Sequence, residues 1–202
     1  MRHLFRQLIL IIAAVYSGFV LAQNAPELPV KSYILTDAAS GQVLLGKNPD
    51  EKLPPASITK LMTAYLVVEA LENGKLTPDT PITVSQNAYK QEGSRMFIEV
   101  NKQVSVEDLL QGLIIQSGND AAVALAEYIG GSADGFTDMM NRKAAELGMT
   151  NTHYTNPTGL PDPENYTTAA DIATLSRHII NDHPQYYHLY GQKNYTYNKI
   201  KQ

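Results

Sequence analysis

Residues 54–62, Pro54-Pro55-Ala56-Ser57-Ile58-Thr59-Lys60-Leu61-Met62, restrict the fold more than any other stretch of this chain. Proline is excluded from helix interiors and biases the residue before it toward extended backbone. The two prolines therefore end an extended approach. Behind them Ile58, Leu61, Met62, Tyr65, Leu66, Val68 and Leu71 recur at helical spacing until Gly74. The pattern predicts a helix from about Ser57 to Gly74 that is apolar nearly all round, as a buried central helix must be. Ser57 and Lys60 stand three apart on it and share a face. An unpaired lysine in such a helix is costly, which singles out the pair. A lysine held neutral by burial can take the proton of a serine hydroxyl and make it a nucleophile, and the positive end of a helix favours the resulting alkoxide. The tetrad by itself is a weak signal; a serine and a lysine at an ordinary solvated helix start would read the same way.

Arg2 and Arg6 precede an apolar run, Leu8 through Val20, and Val20-Leu21-Ala22 resembles a cleavage site before Gln23. Residues 1–22 are thus expected to be a secretory signal, the run being short for a membrane span. Loss of the two arginines moves the formal charge from −4 to −6, which argues against nucleic acid or an anionic lipid surface as partner. There is no cysteine, hence no disulfide framework, thiolate metal site or cysteine nucleophile. The five histidines show no metal-ligand spacing, so no metal and no cofactor is expected. With 44% apolar residues, 202 residues suffice for one substantial core.

Downstream, Lys31–Thr36 and Gln42–Leu45 flank Asp37-Ala38-Ala39-Ser40-Gly41 and predict a hairpin. Ile82–Val84 and Met96–Val100 are strand candidates, the latter followed by a turn at Asn101 and Lys102. Ser105 and Asp108 form a capping-box pattern ahead of Leu109, Leu110, Leu113 and Ile114. That helix runs into Gln116-Ser117-Gly118-Asn119-Asp120, a polar turn with apolar residues before it and alanines after it. Another helix, Ala121–Ile129, ends at Gly130-Gly131. The same Ser-x-Asn spacing recurs at Ser85-Gln86-Asn87 in a polar segment, so the spacing alone says little. For Ser117-Gly118-Asn119 an ordinary turn with an Asn cap stays open beside a functional reading, in which Ser117 relays a proton next to Lys60 and Asn119 binds a substrate amide. A helix is expected over Ser132–Leu147, closed by Gly148. A long loop rich in Asn, Thr, Pro and Gly, Asn151–Tyr166, comes next, and its length suggests a functional role. Thr168 and Asp171 open a last helix to about Asn181. Tyr195–Tyr197 is a strand candidate in the tail.

Taken together, Pro55–Thr63, Ser94-Arg95-Met96-Phe97, Gln116–Ala121, Asn156–Asp162 and the Thr168–Asp171 helix start resemble the serine D-Ala-D-Ala carboxypeptidases, the low-molecular-mass penicillin-binding proteins. The resemblance runs from Pro29 to Gln202. It implies an α+β, β-lactamase/DD-peptidase-like transpeptidase fold: an antiparallel sheet with flanking helices and a helical subdomain, the sheet incomplete here. Residues 23–202 would be the N-terminal portion of the domain, without its C-terminal strands. By resemblance, Ser57 attacks the penultimate D-Ala carbonyl of a peptidoglycan stem peptide ending in D-Ala-D-Ala. Lys60 is the base, Ser117 helps protonate the leaving D-Ala, and Asn119 holds the acyl-side amide. The Ser57 N–H is one oxyanion donor, and β-lactam antibiotics acylate the same serine. The protein is expected in the periplasm or on the outer face of the cytoplasmic membrane, with no membrane anchor in this chain. The family's Lys-Thr-Gly or Lys-Ser-Gly tripeptide, which supplies a second oxyanion donor and a carboxylate contact, does not occur here. Without the later strands the hairpin would stand alone, its apolar edge exposed. Two alternatives differ in class. A non-catalytic module would bind stem peptides without releasing D-Ala. A class A β-lactamase would need a loop glutamate to activate water; Glu164 lies in the long loop, but its setting Pro163-Glu164-Asn165-Tyr166 does not match.

Overall fold

A computed structural model describes residues 27–202; the expected signal sequence, 1–22, lies outside the described residues. The apolar run behind Pro55 forms helix α1, Lys60–Glu72, preceded by a 3-10 turn, Ala56–Thr59. Its all-round apolar character has a direct cause: two clusters pack against it from different sides. Ala64, Val67, Val68 and Leu71 join the first, with Leu109, Leu113, Ala121 and Leu125. Met62, Tyr65 and Leu66 join the second, with Phe136, Met140, Tyr154 and Leu175. A helix between two cores needs apolar side chains on every face.

The expected hairpin is present as β1, Tyr33–Thr36, paired antiparallel with β2, Val43–Lys47. β3, Pro81–Thr83, pairs with β4, Gln103–Ser105, and a short tail hairpin joins β5, Thr196–Tyr197, to β6, Ile200–Lys201. Among the described residues these remain three separate two-stranded antiparallel sheets. β1–β2 leaves Leu35, Val43 and Leu44 at least half exposed.

The helices follow their caps. α2, Gln86–Tyr89, is a short surface helix capped by Ser85, so the second Ser-x-Asn copy is a helix start. α3, Val106–Ile115, α5, Ala133–Glu146, and α6, Ala169–Asp182, carry Ser105, Ser132 and Thr168 as N-caps, each side-chain oxygen accepting from the third backbone N–H. Between α3 and α5 lies α4, Asn119–Gly130, closed by Gly131 with φ +74°. Only half of each expected capping box forms. The Asp108 carboxylate accepts from the Ser105 hydroxyl, and Asp171 accepts from Asn151 N and Thr152 Oγ1 at 2.9 and 2.7 Å. Asp171 thereby ties the start of the long loop to α6. A further short helix, α7, Pro184–Tyr187, and a 3-10 turn, His188–Gly191, precede the tail.

Met96–Val100, expected as a strand, is a loop. Its side chains alternate as a strand's would, with Met96 and Ile98 buried and Phe97 exposed. Its amides, however, turn to a carboxylate: Asp120 accepts from Met96 N, Phe97 N and Ile98 N at 3.0, 2.9 and 3.2 Å, and from Ala121 N at 2.9 Å. Phe97 adopts φ +65° to make this curl. Asp120→Asn keeps one oxygen where the carboxylate uses two. With hydrogen bonds to a charged group worth about 1.5–3 kcal/mol each, the substitution is expected to lower unfolding free energy by about 2–4 kcal/mol, measured by urea denaturation. An unchanged midpoint would show that the charge and the second oxygen of the clamp contribute nothing.

Candidate active site

Pro55 opens the 3-10 turn, and Ala56 follows at φ +46°. Ser57 is exposed, while Thr59 and Lys60 are buried, Lys60 at 5% of its surface. In a 3-10 turn residues three apart eclipse one another, so the turn brings the two side chains together more directly than an α-helical start: Lys60 Nζ lies 3.1 Å from Ser57 Oγ. The amine also donates to the Thr158 carbonyl at 2.7 Å. Burial lowers the Lys60 pKa to about 8, without help from a neighbouring charge. On the order of a tenth of the molecules hold the neutral amine at pH 7. Ser57 sits in a first turn, where backbone N–H groups have no preceding carbonyl to bond.

Thr158 comes from the long loop, which is fastened at both ends. Asn141 of α5 brackets Tyr154, accepting its N–H and donating to its carbonyl at 2.8 Å each. Thr167 pairs with Leu53, just ahead of the prolines. In the middle, Thr63 of α1 donates to the Pro157 carbonyl at 2.7 Å. Gly159 stands at φ +82° so close to the Ser57 turn that a Cβ there would overlap the Ala56 carbonyl. Sequence reasoning flagged this loop by its length and composition but assigned none of its residues to the lysine.

The α3–α4 junction supplies the other expected residues. Ser117 is half-buried at φ +57°, and the hydrogen bonds of Lys60 go to Ser57 and Thr158, not to it. Asn119 is buried; its Nδ2 donates to the Glu92 carbonyl at 2.6 Å and its backbone N–H to the Ser94 carbonyl at 2.7 Å. The Asn119 amide, expected to hold a substrate amide, thus spends one of its two N–H donors internally. Ser94 Oγ donates to the Gln116 carbonyl at 2.6 Å, stapling the Asp120-held loop onto the junction. Glu164 is exposed, its N–H held by Asp162 Oδ1 and its carbonyl by His153 Nδ1. Among the described residues no group of three or more His, Cys, Asp or Glu is placed to hold a metal ion, and no helix is long and apolar enough to cross a membrane.

An exposed hydroxyl backed by a buried amine that titrates near neutrality can carry out nucleophilic acyl transfer. A family model described as D-alanyl-D-alanine carboxypeptidase matches residues 20–202, and the chain belongs to that family. It is 44% identical over 180 residues to D-alanyl-D-alanine carboxypeptidase DacA of Haemophilus influenzae, covering 88% of this chain and 46% of that protein. The chain spans about half the length of the curated relatives it matches. The structure superposes on penicillin binding protein 5 from Haemophilus influenzae with a TM-score of 0.86 at 43% identity, covering 89% of this chain and 53% of that one. It is also similar to the ampicillin-bound form of penicillin-binding protein D2 from Listeria monocytogenes, with a TM-score of 0.78 at 30% identity, covering 89% and 73%. The helices and small antiparallel sheets match part of the α+β fold of these DD-peptidase relatives, the chain covering 42–60% of each.

Proposed function

We propose that Ser57 is the nucleophile of an acyl transfer on peptidoglycan stem peptides ending in D-Ala-D-Ala. The observation that carries this reading is the buried Lys60 amine 3.1 Å from the exposed Ser57 hydroxyl. Neutral Lys60 takes the hydroxyl proton as the Oγ–carbon bond forms at the penultimate D-Ala carbonyl. The peptide C–N bond then breaks, and the proton passes to the departing D-Ala amine, with Ser117 completing the relay. Water releases the acyl-enzyme. The Ser57 N–H is one oxyanion donor, and Asn119 holds the acyl-side peptide amide, its Oδ1 accepting from the peptide N–H while one of its two N–H groups stays on the Glu92 carbonyl. A β-lactam would acylate Ser57 in the same way; the ampicillin-bound relative supports this. The Arg2, Arg6 and Leu8–Val20 pattern supports export to the periplasm or the outer face of the cytoplasmic membrane.

Intact mass before and after incubation with benzylpenicillin tests the reading. One penicilloyl adduct is expected, mapping to Ser57 and absent in Ser57→Ala. A folded protein that gains no mass, or gains it equally as Ser57→Ala, overturns it. D-Ala release from a pentapeptide, followed in parallel, separates turnover from acylation. A mature N-terminus at Gln23 would bear out export.

A further inference from the structure

We propose that Asn156 is a positioning residue for Lys60, acting through the Thr158 carbonyl; this rests on the acyl-transfer reading above. The amide of Asn156 ties together Thr155 before it and Thr158, Gly159 and Leu160 after it. Its Oδ1 accepts from Thr158 N, Thr158 Oγ1 and Gly159 N at 3.1, 2.7 and 2.7 Å. Its Nδ2 donates to the Leu160 carbonyl at 3.1 Å and to Thr155 Oγ1 at 3.2 Å. Two of these five hydrogen bonds, from Thr158 N and Gly159 N, hold the peptide planes on either side of Thr158. One of those planes carries the carbonyl that receives the Lys60 proton at 2.7 Å.

The consequence is chemical. A neutral amine has two N–H bonds and one lone pair. Donation to the Thr158 carbonyl fixes one N–H, which leaves the lone pair free to face Ser57 Oγ, 3.1 Å away. A carbonyl that drifts by an ångström releases that orientation, and misplacements of this size cost about 10²-fold in rate. The groups meeting the amine are the Ser57 hydroxyl, from the 3-10 turn, and the Thr158 carbonyl, from the loop; no charged side chain contributes to its shift. The loop also covers the amine, so a loosened loop admits water and relieves the burial that keeps its proton affinity low.

The test compares wild type, Asn156→Ala and Asn156→Asp. Asp keeps the accepting oxygen and loses the amide donor. Two readouts are taken across pH 6–10: the rate of acylation by benzylpenicillin, and trace acetylation of Lys60 by acetic anhydride, followed by peptide mass spectrometry. Asn156→Ala is expected to acylate about 10²-fold more slowly, with its Lys60 labelling curve displaced to higher pH. Asn156→Asp is expected to recover about tenfold of that loss. Labelling and acylation curves of Asn156→Ala that overlay the wild type's would overturn the proposal. If the wild type takes no penicillin, the acyl-transfer reading fails and the labelling curves alone decide: a displaced curve supports positioning, an overlaid one rejects it. Should Asn156→Ala not fold, Asn156→Ser, with a single side-chain acceptor, is read by the same two criteria.

Discussion

Replacing Lys60 with glutamine is expected to slow acylation of Ser57 by benzylpenicillin by about 10²–10⁴-fold, the range for loss of a positioned general base. Glutamine keeps a donor for the Thr158 carbonyl, so circular dichroism should match wild type. The pH dependence carries the sharper information. Burial lowers the Lys60 pKa to about 8, so the reactive, neutral form is the minority below that pH and the majority above it. The wild-type rate should rise about tenfold per unit below pH 8 and level off above it. Lys60→Gln should lose this limb altogether. A wild-type profile that is flat between pH 6 and 9, or a glutamine variant that acylates normally, would remove Lys60 from the mechanism.

Gly159→Ala is expected to destabilise the protein by about 2–5 kcal/mol, combining the cost of a left-handed alanine with that of overpacking. It should also abolish detectable acylation. The new methyl would overlap the backbone carbonyl of Ala56 and lie 2.9 Å from Thr59 Oγ1. Backbone cannot step aside as a flexible side chain can, so either the loop lifts from Lys60 or the Ser57 turn shifts. Gly148→Ala is the control. It has a similar φ, +79°, but nothing within 4 Å of the added methyl. It should cost only about 1–2 kcal/mol and leave acylation intact. Thermal melts and adduct formation measured on both variants separate backbone strain from close approach. Equal behaviour of the two would show that the loop does not press on the Ser57 turn.

Much of this architecture was legible because its signals are local. Ser105, Ser132 and Thr168 cap helices where the sequence places them, since a cap needs only its own next three residues. The central helix was legible from its prolines and its apolar spacing. Met96–Val100 shows where this stops. Its alternation is real, and Met96 and Ile98 are buried as a strand's inward residues would be. Whether the amides meet a neighbouring strand or a carboxylate is decided by what lies opposite, and Asp120 is more than twenty residues away. The two short turns over 184–191 leave no periodic pattern long enough to read.

The pairing of Ser57 with Lys60 was determined by the sequence alone, because a separation of three residues after a proline-set start puts two side chains on one side of a turn. The chemistry of that pair was not. What would make the lysine a base is its burial, and the carbonyl brought to it across 98 residues of chain. Desolvation depends on everything that surrounds a group, so it belongs to the packed molecule. In the same way Asn119 was identifiable as an amide in a polar turn, but only the fold brought the Glu92 carbonyl to one of its N–H groups and so fixed how the amide is turned.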